Sequence, residues 1–111
     1  MRIERGEVYW VAFDPSMGGE TRKTRPAIIV SNNAANLVLN RVQVVPITSK
    51  TGRIYRAEAA IQLKGEERKA MGDQLATVSK ERLGKKIGNL NPEDMARVEA
   101  AIAVQLGLTL K

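Results

Sequence analysis

The chain has 111 residues, enough for one domain spanning 1–111 and too few for two. It holds no cysteine and no histidine, which removes disulfides, thiolate nucleophiles, zinc–thiolate sites, a Ser-His-Asp triad and a two-histidine nuclease. A formal net charge of +6 favours a polyanion as partner: nucleic acid, an acidic protein or an anionic surface.

The opening stretch, MRIERGEVYW, carries charge without the apolar run of an export signal, and no apolar run approaches the roughly 18 residues of a membrane helix. A cytoplasmic protein with no membrane contact is expected. Residues 7–13, EVYWVAF, are β-branched and aromatic, and their unbroken apolar run predicts a first strand covered on both faces. One cover would be the core, the other a helix or a second copy of the chain, so a homodimer is expected. DPSMGG (14–19) reads as the start of a loop, and RPAIIVSN (25–32) as the second strand. RVQVVPITSK (41–50) is the third, with Pro46 marking a bulge or an edge because it cannot donate to a ladder. AEAAIQLK (57–64) and GDQLATVSK (72–80) are the fourth and fifth.

The period then changes. Met95, Val98, Ile102 and Leu106 recur at helical spacing, after an Asn91 N-cap, Pro92 in the first turn and the acids Glu93 and Asp94, with Gly107 as the stop. About five short strands, charged loops and one terminal helix predict a mainly β fold, a small, partly open antiparallel barrel with a C-terminal helix.

The basic charge is not spread evenly. It gathers at 20–25, 50–56 and 80–86, all between strands, whereas 91–108 is net acidic. Arg25 directly precedes Pro26, which biases it to an extended conformation, and a guanidinium is a planar fork matched to phosphate oxygens. Thr48 shares a strand face with Pro46 by alternation. Glu20 is the one acid in the 18–25 loop, either an ion-pair partner or a base. Asp73 and Gln74 read as turn residues before a strand. Tyr9, Trp10 and Phe13 read as core, which leaves Tyr55 as the aromatic residue of a basic loop. No carboxylate cluster reads as a metal site, and no cofactor is implied.

Four blocks, RGEVYWVAFDPSMGGE, TRPAIIVSN, VVPITS and GDQLATVSKERL, occur in the order found in the MazF/PemK toxin endoribonucleases of toxin–antitoxin pairs, which this chain resembles along nearly its whole length. The resemblance implies an SH3-like barrel, a homodimer and metal-independent, ribosome-independent cutting of single-stranded RNA, chiefly mRNA. The substrate 2′-hydroxyl would be the nucleophile, leaving 2′,3′-cyclic phosphate and 5′-hydroxyl ends. It also implies an acidic, MazE-like antitoxin as partner. Arg25, Thr48 and Glu20 fall on the family's catalytic pattern, and Asp73 and Gln74 on its D-Q pair. Thr21 and Lys23 stand where the family often has glutamine and glycine, which makes this loop more basic. Arg22, Lys23, Lys50, Arg53 and Arg56 are the expected phosphate contacts. Asn32 and Gln74 are expected to read base edges, Asp73 to contact RNA beside Gln74, and Tyr55 to stack on a base. Two other readings stay open on the residues: a gyrase-poisoning toxin on the same barrel, as in the CcdB toxins, and a basic nucleic-acid-binding barrel without catalysis.

Overall fold

The computed structural model describes residues 2–13 and 23–109. Seven strands form one antiparallel sheet: β1 (Glu7–Ala12), β2 (Thr24–Ile29), β3 (Arg41–Thr48), β4 (Glu58–Leu63), β5 (Glu66–Met71), β6 (Ala76–Ser79) and β7 (Leu83–Asn89). A short helix α1 (Asn33–Val38) precedes β3, and α2 (Pro92–Leu106) closes the chain. The strand order is β4-β5-β3-β2-β1-β7, with β6 also paired to β3. The sheet curls until its two outer strands approach. A methyl added at Gly88 of β7 would lie 3.9 Å from Leu63 Cδ1 of β4.

The curl is set in β3. Arg41–Val44 pairs with β6, and Ile47–Thr48 pairs with β5. Its other edge pairs with β2 through Ala27↔Pro46, Ile28↔Val45 and Ile29↔Val44. Val30 N–H donates to the Gln43 carbonyl (2.9 Å), so the odd-numbered residues of β3 aim their backbone groups at β2. Pro46 therefore turns its donor-less nitrogen to the opposite edge, between the end of the β6 ladder and the start of the β5 ladder. The expected bulge or edge is a change of partner inside a central strand.

Two cores lie on the two faces. One gathers Val8, Ile28, Val45, Ile47, Ile61 and Leu63 under Met95, Val98 and Ala101 of α2. The other gathers Ile3, Tyr9, Val11, Ala27, Ile29, Val42, Val44 and Val78. The first strand is thus covered on both faces, as its composition predicts, but both covers come from this chain. Its apolar character needs no second copy. Trp10 departs from the expectation of a core residue, being 41% exposed.

The helix reads as predicted. The Asn91 side chain accepts from Asp94 N–H (2.7 Å), and Gly107 leaves the helix at φ 70°. Asp94 is buried, and its carboxylate accepts from the outward N–H of Gln62 on β4 (2.8 Å), closing part of an edge strand. The α2 helix packs chiefly on β4 and on the turn Gly72–Gln74. At Gly72 a β-carbon would stand 2.5 Å from the Ala57 carbonyl oxygen and 3.3 Å from Ala101 Cβ, so glycine sets this approach.

Arg5-Gly6-Glu7, part of the first block of the resemblance, is structural. Arg5 Nε donates to the Val30 carbonyl (3.0 Å) and its guanidinium pairs with Glu99 of α2 (2.9 Å). Gly6, at φ 93°, donates to the Ile29 carbonyl (2.8 Å) and accepts from Leu90 N–H (2.8 Å). Glu7 accepts from Glu4 N–H (2.7 Å), the Tyr9 hydroxyl (2.9 Å) and Lys86 (2.9 Å). Burial alone would raise the Glu7 carboxyl, but these three donors hold it below its usual range.

Burial and the bond to Glu7 push the Tyr9 hydroxyl from its ordinary 10.0 up to about 12. The folded state therefore keeps a proton that the unfolded chain releases, so this contribution is whole below roughly pH 10 and is lost as pH rises through about 12. A two-unit difference corresponds to roughly 2–3 kcal/mol. Urea unfolding of wild type and Tyr9→Phe at intervals from pH 8 to pH 12 is expected to show a shallower alkaline fall in the variant. Equal slopes would contradict the assignment.

Candidate functional site

Arg25 and Thr48, from separate strands, meet because of the β2–β3 register. Continuing the Ala27↔Pro46 pairing by two residues sets Arg25 beside Thr48. Both line a pocket of about 330 Å³, together with Lys23, Ser49, Trp10 and Arg68. It spans four neighbouring strands, β5, β3, β2 and β1. Pro26 and Ile47 add apolar wall.

Thr48 is nearly buried, at 8% exposure, and its Oγ1 accepts from Lys50 N–H (3.2 Å). That contact leaves the hydroxyl hydrogen available as a donor. Arg25 is half-buried. Lys23 has φ 67°, the left-handed region, at a position where the resembling family often has glycine. Its carbonyl is held by Phe13 N–H (3.0 Å). A non-glycine residue there costs on the order of 1–2 kcal/mol, and this chain places a cation in the pocket at that cost.

A family profile described as PemK-like, MazF-like toxin of type II toxin–antitoxin system matches residues 4–106. The chain belongs to this family. It is 30% identical to Endoribonuclease MazF9 of Mycobacterium tuberculosis over 115 residues, which is 96% of this chain and 98% of that protein. Among solved structures, a mycobacterial endoribonuclease in complex with its cognate antitoxin superposes with a TM-score of 0.81 at 28% identity, covering 98% of this chain and 99% of that one. MazF from Deinococcus radiodurans gives 0.86 at 24% identity over 97% and 99%, a likeness of fold.

Within this MazF-like barrel the other expected site residues divide into groups. Glu20 and Arg22 lie outside the described residues. Lys50, Arg53, Tyr55 and Arg56 are exposed on the segment 49–57, which leaves β3 just after Thr48. Asp73 and Gln74 sit on the turn beneath α2 and do not line the pocket. Asn32 follows the opposite end of β2, where its side-chain oxygen accepts from Ala35 N–H (2.8 Å) and caps α1.

Trp10, Ser49 and Arg68 are the pocket residues that sequence reasoning missed. Arg68 also lines a second cavity of about 360 Å³, with Gly52, Ile54, Gln62 and Arg97. One arginine thus lines both, and its guanidinium is pinned by Glu66 (2.8 Å) and the Glu67 carbonyl (2.7 Å).

Lys69 of β5 organises the segment 49–57. Its ammonium pairs with Glu58 (3.0 Å), donates to the Arg53 carbonyl (3.2 Å) and lies 5.9 Å from the Tyr55 ring centre. The Arg53 guanidinium covers the same ring at 5.0 Å. Glu58 in turn accepts from Tyr55 N–H (2.9 Å). Lys69→Met removes the ammonium and leaves Glu58 without that counter-charge. It is expected to cost about 1–3 kcal/mol of stability and to speed amide exchange at Arg53–Tyr55 by at least tenfold. Hydrogen-exchange mass spectrometry checks this, and unchanged exchange in that segment would remove Lys69 from the role.

Proposed function

We propose that this chain is the endoribonuclease toxin of a toxin–antitoxin pair, a single cytoplasmic toxin domain that cuts single-stranded RNA, chiefly mRNA, at short sequences without the ribosome. The observation that carries the reading is the pairing of Arg25 with Thr48 in one cationic pocket on a PemK/MazF-type barrel. The relative named endoribonuclease MazF9 supports it. The gyrase-poison alternative explains neither the convergence of Arg25, Lys23 and Arg68 nor the buried Thr48 hydroxyl beside them.

Cleavage by an internal 2′-hydroxyl has three requirements. The 2′-oxygen loses its proton to a base and attacks the neighbouring phosphorus. The phosphorane then carries extra negative charge. The P–O5′ bond breaks and the departing 5′-oxygen takes a proton, which leaves a 2′,3′-cyclic phosphate and a 5′-hydroxyl. Arg25 meets the second requirement, because its fork presents two parallel donors to two phosphorane oxygens. Thr48 donates from its hydroxyl to a nonbridging oxygen. Glu20 is the titratable candidate for the base. Charge stabilisation by Arg25 takes the place a metal would otherwise fill. Among the described residues no group of three His, Cys, Asp or Glu side chains is placed to hold a metal ion.

The basic trough that attracts RNA also fits an acidic antitoxin segment, and a mycobacterial relative is solved in complex with its cognate antitoxin. A homodimer is supported by the exposed run Leu37, Val38 and Leu39, of which the first two are 69% and 75% exposed.

The test uses a long defined RNA with EDTA present. Wild type is expected to leave fragments whose sequenced 5′ ends share one short motif and carry hydroxyls. Arg25→Lys keeps the charge and loses the fork, so RNA binding should stay within a few-fold while single-turnover cleavage falls by roughly 10²–10³, the scale of one lost transition-state donor. Cleavage that needs added magnesium, or that falls only as far as binding falls, would overturn the reading.

A further inference from the structure

Trp10 is the single tryptophan of the chain. Its neighbours on β1 are sealed: Val8, Tyr9 and Val11 are all buried, whereas Trp10 is 41% exposed. Strand alternation puts it on the face of Val8, the face that α2 covers. That cover does not seal Trp10, because α2 packs chiefly on β4 and the turn at 72–74. The β1–β7 register shifts between Tyr9 and Val11, so Trp10 is skipped by its neighbour on that side too. A large flat apolar side chain is therefore left open beside Pro26, in a pocket whose lining also includes Lys23, Arg25 and Arg68.

The chemistry of that surround selects an occupant. An apolar ligand would fit Trp10 and Pro26 but gains nothing from three cations. An inorganic anion would fit the cations but leaves the indole in water. A nucleotide has both parts, a flat π-face and a phosphate, and a pocket of about 330 Å³ suits one nucleotide unit. We infer that Trp10 is a stacking platform for the base next to the cut phosphate, and so a binding and specificity residue in its own right. This rests on the ribonuclease reading and deepens it. By the pairs Trp10↔Pro26 and Val11↔Arg25 the indole and the Arg25 side chain leave the sheet from opposite faces, and the pocket joins them at the strand ends, so a base on Trp10 and a phosphate at Arg25 and Thr48 would be neighbouring parts of one bound strand. Loss of the indole should therefore weaken binding and also lower the cleavage rate of the RNA that remains bound.

The experiment reads Trp10 fluorescence, which reports one position because no other tryptophan exists. The probes are mixed-sequence 2′-O-methyl RNA octamers, which cannot be cut because their nucleophile is blocked. The comparison ligands are a base-free sugar–phosphate octamer of equal charge and an octaglutamate peptide. The base-containing octamers are expected to quench Trp10 saturably, while the other two compete in the binding assay without quenching. Trp10→Ala should bind the base-containing octamers about tenfold or more weakly and close to the base-free octamer. Trp10→Phe, which keeps a ring on the same strand, should stay within a few-fold of wild type and guards against a folding defect. Equal quenching by the base-free octamer or the peptide would overturn the proposal. So would Trp10→Ala binding all ligands as wild type does, or quenching that follows protein concentration alone, since a second copy would then be the cover. Quenching by bases from a protein that cuts no RNA would leave the platform standing and sink the ribonuclease reading instead.

Discussion

Pro46 divides β3 between two partners, and the rest of the structure follows from that division. A strand bonded to one neighbour along each edge would continue a flat ladder. Here one edge of β3 passes from β6 to β5 across a residue with no donor, while β2 stays on the other edge. The sheet can then curl far enough to hold a separate core on each face and to bring Leu63 and Gly88 together at its margins. The same switch carries Thr48 onto the β5 side while β2 keeps Arg25 alongside. The catalytic candidates meet because a proline interrupts one edge of a central strand.

Around this curl the polar clamps lie at the sheet's margins. Arg5-Gly6-Glu7 ties the N-terminal strand to Val30, Leu90, Lys86 and Glu99. Asp94 ties the first turn of α2 to the open edge of β4. Ser31 and Asn36 hold α1 on β3, the amide of Asn36 donating to the Ser31 carbonyl (2.9 Å) and Gln43 N–H to the Ser31 hydroxyl (3.0 Å). The candidate pocket is built differently. Lys23 sits in a left-handed conformation that glycine would adopt freely, and Trp10 keeps much of its surface in water. At the pocket, one residue in a left-handed conformation and one partly exposed indole stand side by side.

Much of this was legible in the chain. β1 to β4 announce themselves by β-branched runs, and α2 by its caps and apolar spacing. Three elements were not read, each for a physical reason. β5, EERKAM, is too charged to look like a strand, yet Lys64 and Gly65 both have positive φ and form the two-residue hairpin turn that pairs it with β4. That turn was the available signal, and reading it would have brought Arg68 to the site. β7, LGKKIGN, is an outer strand whose lysines and glycines discourage further pairing and depress its β signal together. α1 is six residues long, below the length at which periodicity speaks, and its mark was the Asn32 cap. At the site, Arg25 and Thr48 are legible through Pro26, strand alternation and the family resemblance. Trp10 reads as core because composition alone cannot show where the helical cover of a sheet face ends.

The central claim is that Arg25 and Thr48 act on one phosphate. A double-mutant cycle on single-turnover RNA cleavage tests it most directly, with Thr48→Val, which keeps the shape of a nearly buried side chain, combined with Arg25→Lys. Two groups sharing one transition state are expected to couple by about 1–3 kcal/mol, so the double variant should be little slower than the slower single one. Rate losses that simply multiply, in variants that melt at the wild-type temperature, would mean that the two residues act apart and that the pocket is not one catalytic site.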